Sequence, residues 1–353
     1  MNEHDPETMA VRPDETLDLT RLEPWLREHL EGADGPLNVR QFGGGHANLT
    51  YLLAFGKTEY VLRRPPLGPV APSAHDMGRE HRVLSRLWHK FPLAPRSFVL
   101  CQDKAILGVD FHVLERKEGF VIRNANAGLL DGQPELAARI GAMIVDVLAD
   151  LHGVRPAEVD LDDLGRPEGF VARQVEGWMQ RWFAAVDDSA PEVADVIAWI
   201  ERDIPDSPQV SLIHNDFKLD NLMVASDDPA RAVAVLDWDM CTRGDPLMDL
   251  GTLLNYWTDP DDPESWRNAT FMPTDKPGFP SRAEVAARYG ARTGFDMSRL
   301  LWYRVFGAFK IAVILQQIYI RYLRGQTKDE RFAAMGPRVH ALIDKSRQMM
   351  QQG

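Results

Sequence analysis

Apolar positions along the chain change period about one third of the way through, and that change divides it. Leu22, Trp25, Leu26 and Leu30 keep a helical spacing behind Thr20-Arg21-Leu22-Glu23, which has the capping-box pattern, so a first helix is predicted over about residues 20–31. Residues 39–42, 49–55 and 59–64 are short β-prone runs, the last two joined by Gly56-Lys57, and predict three strands of an antiparallel sheet. Val83, Leu84, Leu87 and Trp88 form a helical stripe, with Glu80 one turn ahead near its buried edge. Residues 111–114 predict another strand, which gives way to the charged run Glu115-Arg116-Lys117-Glu118-Gly119.

Beyond Pro134 the period is mostly helical. Apolar residues at 136, 140, 143, 144, 147, 148 and 151 predict a long helix over 135–152, with further helices over 171–186 and 192–204. Three short apolar runs interrupt them: 210–213, ending at His214; 222–224; and 232–236, ending at Asp237. Read as strand, loop, strand, turn, strand, they bring the loop after His214 beside Asp237. The pattern divides the chain into a polar, loosely attached or disordered terminus (1–16), a β-rich lobe (17–117) and a helical lobe (118–353).

Composition narrows the classes. The 353 residues carry 52 acidic against 40 basic side chains, a net charge of −12 and a pI near 5.3, which argues against a nucleic-acid partner. Cys101 and Cys241 stand far apart and suit neither a disulfide framework nor a zinc site. Residues 1–16 are acidic without an apolar core, unlike a secretory signal, so a cytoplasmic location is expected. The apolar stretch 305–320 is broken by Lys310, Gln316 and Gln317 and is short for a membrane span, so it reads as a buried helix.

Candidate chemistry concentrates in His214-Asn215-Asp216-Phe217-Lys218-Leu219-Asp220-Asn221. An aspartate and an asparagine five residues apart, with Asp237 nearby, suit phosphoryl transfer from a metal-bound nucleotide. On this reading Asp216 would take the hydroxyl proton, Asn221 and Asp237 would hold the metal, Lys218 would neutralise the transferring group, and His214, grouped with them, would order the loop. Asp239 ranks below Asp237 as a ligand. Phe42-Gly43-Gly44-Gly45-His46-Ala47-Asn48 lies between two predicted strands and lets backbone amides approach phosphate, although a hairpin turn would look alike. Asp245 before Pro246 is a helix N-cap, with Asp249 in the first turn. Asp249 follows Asp237 by only twelve positions, too few for a peptide-binding activation segment, so a small acceptor is favoured.

Over about residues 39–324, and most strongly 211–251, the chain resembles the aminoglycoside phosphotransferase and choline kinase superfamily. Within it, the chain is most like the kinase-like domain joined to some acyl-CoA dehydrogenases. The resemblance implies an α+β, bilobal protein-kinase-like fold, with a small β-rich N-lobe and a larger helical C-lobe. It implies ATP, with GTP also open, and Mg2+ as cofactors. Gly43, Gly44, Gly45 and Asn48 would cover the phosphates, and Leu114, Glu115 and Arg116 would meet the adenine edge. Arg63 stands where the family usually has lysine, with Glu80 as its partner; its rigid fork is no simple substitute for an ammonium. Asp249 would brace the catalytic loop. The acceptor pocket would draw on Tyr256, Trp257 and Lys310, the last a buried cation that needs a carboxylate or a substrate anion as partner. The acceptor implied is a hydroxylated small molecule such as a hydroxyacyl-CoA, linking the chain to acyl-CoA metabolism. Choline-like, sugar, amino-alcohol and aminoglycoside acceptors stay open, as do a pseudokinase without turnover and a metal-dependent hydrolase.

Overall fold

A computed structural model describes residues 7–43, 48–67, 76–207, 209–269, 272–327 and 330–352. Six strands form the first sheet: β1 (Thr8–Met9), β2 (Leu37–Phe42), β3 (Leu49–Phe55), β4 (Thr58–Arg64), β5 (Ser97–Cys101) and β6 (Phe111–Glu115). They are ordered β1-β2-β3-β4-β6-β5, and every pairing is antiparallel. Period-two alternation puts Tyr51, Leu53, Phe55, Leu62, Phe111 and Val113 into a core with Leu22 and Leu26 of helix α1 (Leu19–His29). That helix starts one residue before the predicted box. Asp18 accepts the Thr20 N–H, while Glu23 pairs with Arg27, so the Thr20–Glu23 box does not form.

The loose attachment expected for residues 1–16 does not hold for residues 7–16. Thr8 and Met9 pair with Phe42 and Gln41, Tyr51 Oη donates to the Glu15 carbonyl at 2.7 Å, and the Arg12 N–H donates to Gln41 Oε1 at 3.0 Å. The edge of β2 offers main-chain partners that the polar composition of the segment does not reveal.

Helix α2 (Met77–Leu87), capped by Asp76, sits on the lobe boundary. Its Val83, Leu84 and Leu87 join the large core of the second lobe, which fixes Glu80 on the side facing the sheet. After the short α3 (Lys104–Leu107), β7 (Phe120–Val121) pairs with β9 (Leu222–Val224) and not with the first sheet. Two small sheets follow, ordered β10-β9-β7 and β11-β8, with β8 at Ser211–Ile213, β10 at Ala232–Val235 and β11 at Thr242–Gly244.

The helical lobe comprises α4 (Pro134–His152), α5 (Phe170–Ala185), α6 (Ala194–Arg202), α7 (Leu247–Tyr256), α8 (Glu264–Arg267), α9 (Arg282–Thr293), α10 (Leu300–Leu323) and α11 (Met335–Met350). Helix α10 is its axis, buried along most of its length against α5, α7 and α11. Gly251 and Gly307 let α7 and α10 touch: a Cβ on Gly251 would meet the Tyr303 carbonyl oxygen at 2.6 Å, and one on Gly307 would meet the Gly251 oxygen at 2.9 Å. This close crossing sets the position of Asp249 on α7. Among the described residues, no helix is long and apolar enough to cross a membrane.

Candidate active site

The loop after β8 is held by buried main-chain contacts. The Asp249 carboxylate, 1 % exposed, accepts the His214 N–H at 2.6 Å and the Asn215 N–H at 2.7 Å, and its Oδ2 lies 3.2 Å from His152 Nε2. Burial pushes the Asp249 carboxyl pKa up, but His152 and His214 outweigh it and hold the group below the usual range. His214 is fully buried; its Nε2 donates to the Leu236 carbonyl at 2.9 Å, and its Nδ1 accepts the Asp216 N–H at 3.3 Å. Both ring nitrogens are therefore committed to main chain, and burial holds the imidazole neutral. Through these contacts the His214 ring ties the loop to the end of the segment before Asp237.

Asn215 adopts a left-handed conformation, φ 67°, which turns the chain so that Asp216 faces the cleft. Around Asp216 the predicted residues converge. Lys218 Nζ donates to its two carboxylate oxygens at 2.8 and 2.7 Å, and Asn221 Nδ2 donates to its carbonyl at 2.8 Å and to Oδ2 at 2.9 Å. The Leu236 N–H closes onto the Asn221 carbonyl at 2.8 Å and carries Asp237, φ 70°, to the same place. Burial disfavours the Lys218 charge, but Tyr256 and Asp216 reverse that and raise its pKa.

From the first sheet, Arg63 reaches across the cleft. Its Nη1 lies 3.1 Å from Glu80 Oε1 and its Nη2 contacts Asp237 Oδ1, so the guanidinium bridges α2 and the segment after β10. Glu80 is completely buried and also accepts the Trp238 N–H at 3.2 Å and His112 Nε2 at 3.2 Å. Burial alone would raise the Glu80 and Asp237 pKa values; in both, Arg63 leads the opposing effects and holds the carboxylate charged. His112, absent from the sequence-derived set, lies directly opposite Arg63 in the β4–β6 register. Asp239 is next to this cluster: Asn48 Nδ2 is 3.4 Å from its Oδ2, and burial followed by Asp237 and Glu80 pushes its carboxyl up to about 6. Asn221, Asp237 and Asp239 carry oxygen donors of the kind that hard divalent cations take, but among the described residues no three or more His, Cys, Asp or Glu side chains are grouped so as to hold a metal, and Arg63 already pairs with Asp237.

Gly43 ends β2 in a turn, while Gly44 and Gly45 lie outside the described residues. Leu114 pairs within the sheet, and the Glu115 N–H is spent on the Arg96 carbonyl at 2.8 Å, which takes that amide out of reach of a base edge. Arg116 packs at 5.1 Å over the ring of Phe42, which is next in sequence to Gly43.

Of the residues expected to line an acceptor pocket, Tyr256 lies under Lys218, with Nζ 5.4 Å from the ring centroid, and burial pushes its hydroxyl pKa up to about 12. Trp257 does not join it. Its ring is fully buried, with Nε1 donating to the Pro280 carbonyl at 2.9 Å, so it is core and not pocket. Lys310 is buried as predicted, and within the chain its hydrogen-bond partner is a main-chain carbonyl: Nζ donates to the Asn215 carbonyl at 2.8 Å and lies 5.7 Å from the centroid of the Trp178 ring. It braces the catalytic loop from behind.

A family model described as the phosphotransferase enzyme family matches residues 38–303. The chain is 32% identical over 332 residues to acyl-CoA dehydrogenase family member 11 of Rattus norvegicus, covering 92% of this chain and 42% of the relative. The Homo sapiens counterpart is 31% identical, covering 91% and 41%. The chain thus spans less than half the length of these relatives. Among solved structures, a Ralstonia eutropha protein of the aminoglycoside phosphotransferase type superposes with a TM-score of 0.82 at 29% identity, covering 96% of this chain and 99% of that one. An aminoglycoside phosphotransferase solved with ADP and hygromycin B gives 0.57 at 17% identity, covering 92% and 98%, a likeness of fold alone. The bilobal α+β architecture is accordingly the protein-kinase-like one, and the chain belongs to the phosphotransferase enzyme family.

Proposed function

We propose that this phosphotransferase is a small-molecule kinase that moves the γ-phosphoryl group of ATP to an alcohol. The observation that carries the reading is the shared hold on Asp216: Lys218 and Asn221 both bond its carboxylate, and Asp237 follows directly on the residue bonded to Asn221. Asp216 orients the acceptor hydroxyl and takes its proton as the new P–O bond forms and the bond to the departing diphosphate breaks. Lys218 neutralises charge beside the transferring group, and Arg63, aimed by Glu80, holds phosphate oxygens. Asn221 and Asp237, with Asp239 beside them, hold Mg2+, which supplies charge neutralisation at the phosphates. Gly43 and Asn48, which flank the glycine-rich segment, cover the nucleotide.

For the acceptor, the relatives' names supply the direction. Their dehydrogenase designation supports a hydroxylated acyl group such as a hydroxyacyl-CoA, ahead of aminoglycoside or choline-type acceptors. The test is ATP consumption with Mg2+ against hydroxyacyl-CoAs, choline and amino alcohols, sugars and aminoglycosides, beside an Asp216→Asn control. Turnover with one class, lost in the control, supports the kinase and names its acceptor. ATP binding without turnover across the panel would favour a pseudokinase.

A further inference from the structure

His112 is an expensive residue at its position. It is fully buried on β6 between Phe111 and Val113, where an apolar side chain would need no polar partners. The structure gives it two. Nε2 lies 3.2 Å from Glu80 Oε2, and Nδ1 lies 3.0 Å from Ser97 Oγ, which is in turn 2.8 Å from His81 Nδ1. Burial, with help from His112 and Arg86, pushes the His81 imidazole down to about 4. From His81 the line of side chains runs through Ser97 and His112 and ends on one carboxylate oxygen of Glu80.

The division of that carboxylate is the informative feature. Arg63 Nη1 and the Trp238 N–H take Oε1, while His112 takes Oε2. A guanidinium facing a free carboxylate prefers to bond both oxygens with its two-pronged edge. Here that would draw the second prong away from Asp237. With Oε2 occupied, Arg63 bonds Glu80 through one nitrogen and extends the other toward Asp237. We propose that His112 is a positioning residue which, acting through Glu80, holds Arg63 in this shared posture, the one that faces bound phosphates. The same division shows how an arginine serves where the family usually places lysine. This inference rests on the nucleotide reading of the site.

The test compares Mg·AMP-PNP affinity by calorimetry, and KM for ATP against kcat, in wild type, His112→Leu and His112→Gln. Glutamine places an amide N–H where Nε2 stands; leucine cannot donate. Leucine is expected to weaken Mg·AMP-PNP binding and raise KM by about tenfold, and glutamine to stay within about threefold of wild type, independently of melting temperature. Wild-type affinity in the leucine variant, or equal losses in both variants that follow their stability, overturns the role. If the leucine variant does not fold, Ser97→Ala removes the partner of the other ring nitrogen and is expected to weaken binding by about threefold; unchanged binding there overturns it equally. A wild-type protein that binds no Mg·AMP-PNP would sink the nucleotide reading and this inference together, whereas normal wild-type binding with an indifferent leucine variant would sink only the inference.

Discussion

Asn221 donates from a single amide nitrogen to both the carbonyl and the carboxylate of Asp216, at 2.8 and 2.9 Å. Both bonds use the nitrogen side of the amide, so in the proposed mechanism this one residue would set the spacing between Asp216 and the metal. Asn221→Ala removes that spacer, and a displacement of about 1 Å at a reacting centre can cost ~100-fold in rate. Turnover with the identified acceptor is expected to fall by at least that much, with the melting temperature nearly unchanged. A variant within twofold of wild type would show that Asn221 neither positions Asp216 nor holds metal.

Restoring the family's usual residue should not improve the enzyme. Arg63 spans Glu80 and Asp237 with two separate nitrogens, and the ammonium of a lysine is a single point. Arg63→Lys is expected to raise KM for ATP by roughly tenfold, with a smaller change in kcat. Steady-state kinetics at saturating acceptor decide it, and unchanged or improved KM would mean that the fork contributes nothing beyond its charge.

Asp249 supports the loop from a helix at the close α7–α10 crossing. Asp249→Ala leaves the His214 and Asn215 amides without their acceptor in a buried place, at about 1–3 kcal/mol for each unsatisfied group. A loss of at least ~3 kcal/mol in urea unfolding is expected, with activity falling even where the variant is folded. A change below ~1 kcal/mol would show that water replaces the carboxylate and that the loop is held elsewhere.

The contrast between Asp216 and His112 shows where sequence reading reaches. The residues around Asp216 were legible because phosphoryl transfer needs those side-chain types at short fixed spacings, and the apolar runs flanking them gave the strand ends. His112 left no such trace. Phe111 to Leu114 is buried on both faces, so alternation cannot separate an interior histidine from a solvent-facing one. Trp257 was misplaced because it follows Tyr256 directly, and neighbouring residues leaving a helix point in different directions. The Lys310 partner was missed for a simpler reason: a main-chain carbonyl has no sequence signature. Thr8 and Met9 likewise found an edge strand that only the folded sheet provides. Helix α11 escaped notice because a lysine, Lys345, occupies its buried face.

That lysine is expected to make the chain's stability depend on pH. Lys345 is 1 % exposed; its Nζ makes one long contact, 3.4 Å to the Asn255 carbonyl, and lies 5.2 Å from the Trp266 ring centroid. Arg282 and Arg304 face it as like charges, while the nearby Asp259 and Asp262 already pair with Arg282. Burial first, then Arg282, pushes the Lys345 pKa from 10.5 down to about 7. Between those values the unfolded chain binds more protons than the folded one, so this group makes stability rise with pH. Below about pH 7 both states are protonated and the cost of the buried charge is constant and at its largest. Lys345→Met should therefore be more stable than wild type at pH 7 and below, with an advantage that shrinks steadily toward about pH 10. Urea unfolding of both proteins across that range reads the difference directly and cancels every other titrating group. A difference that stayed flat with pH would mean that the Lys345 ammonium is as well solvated in the fold as outside it.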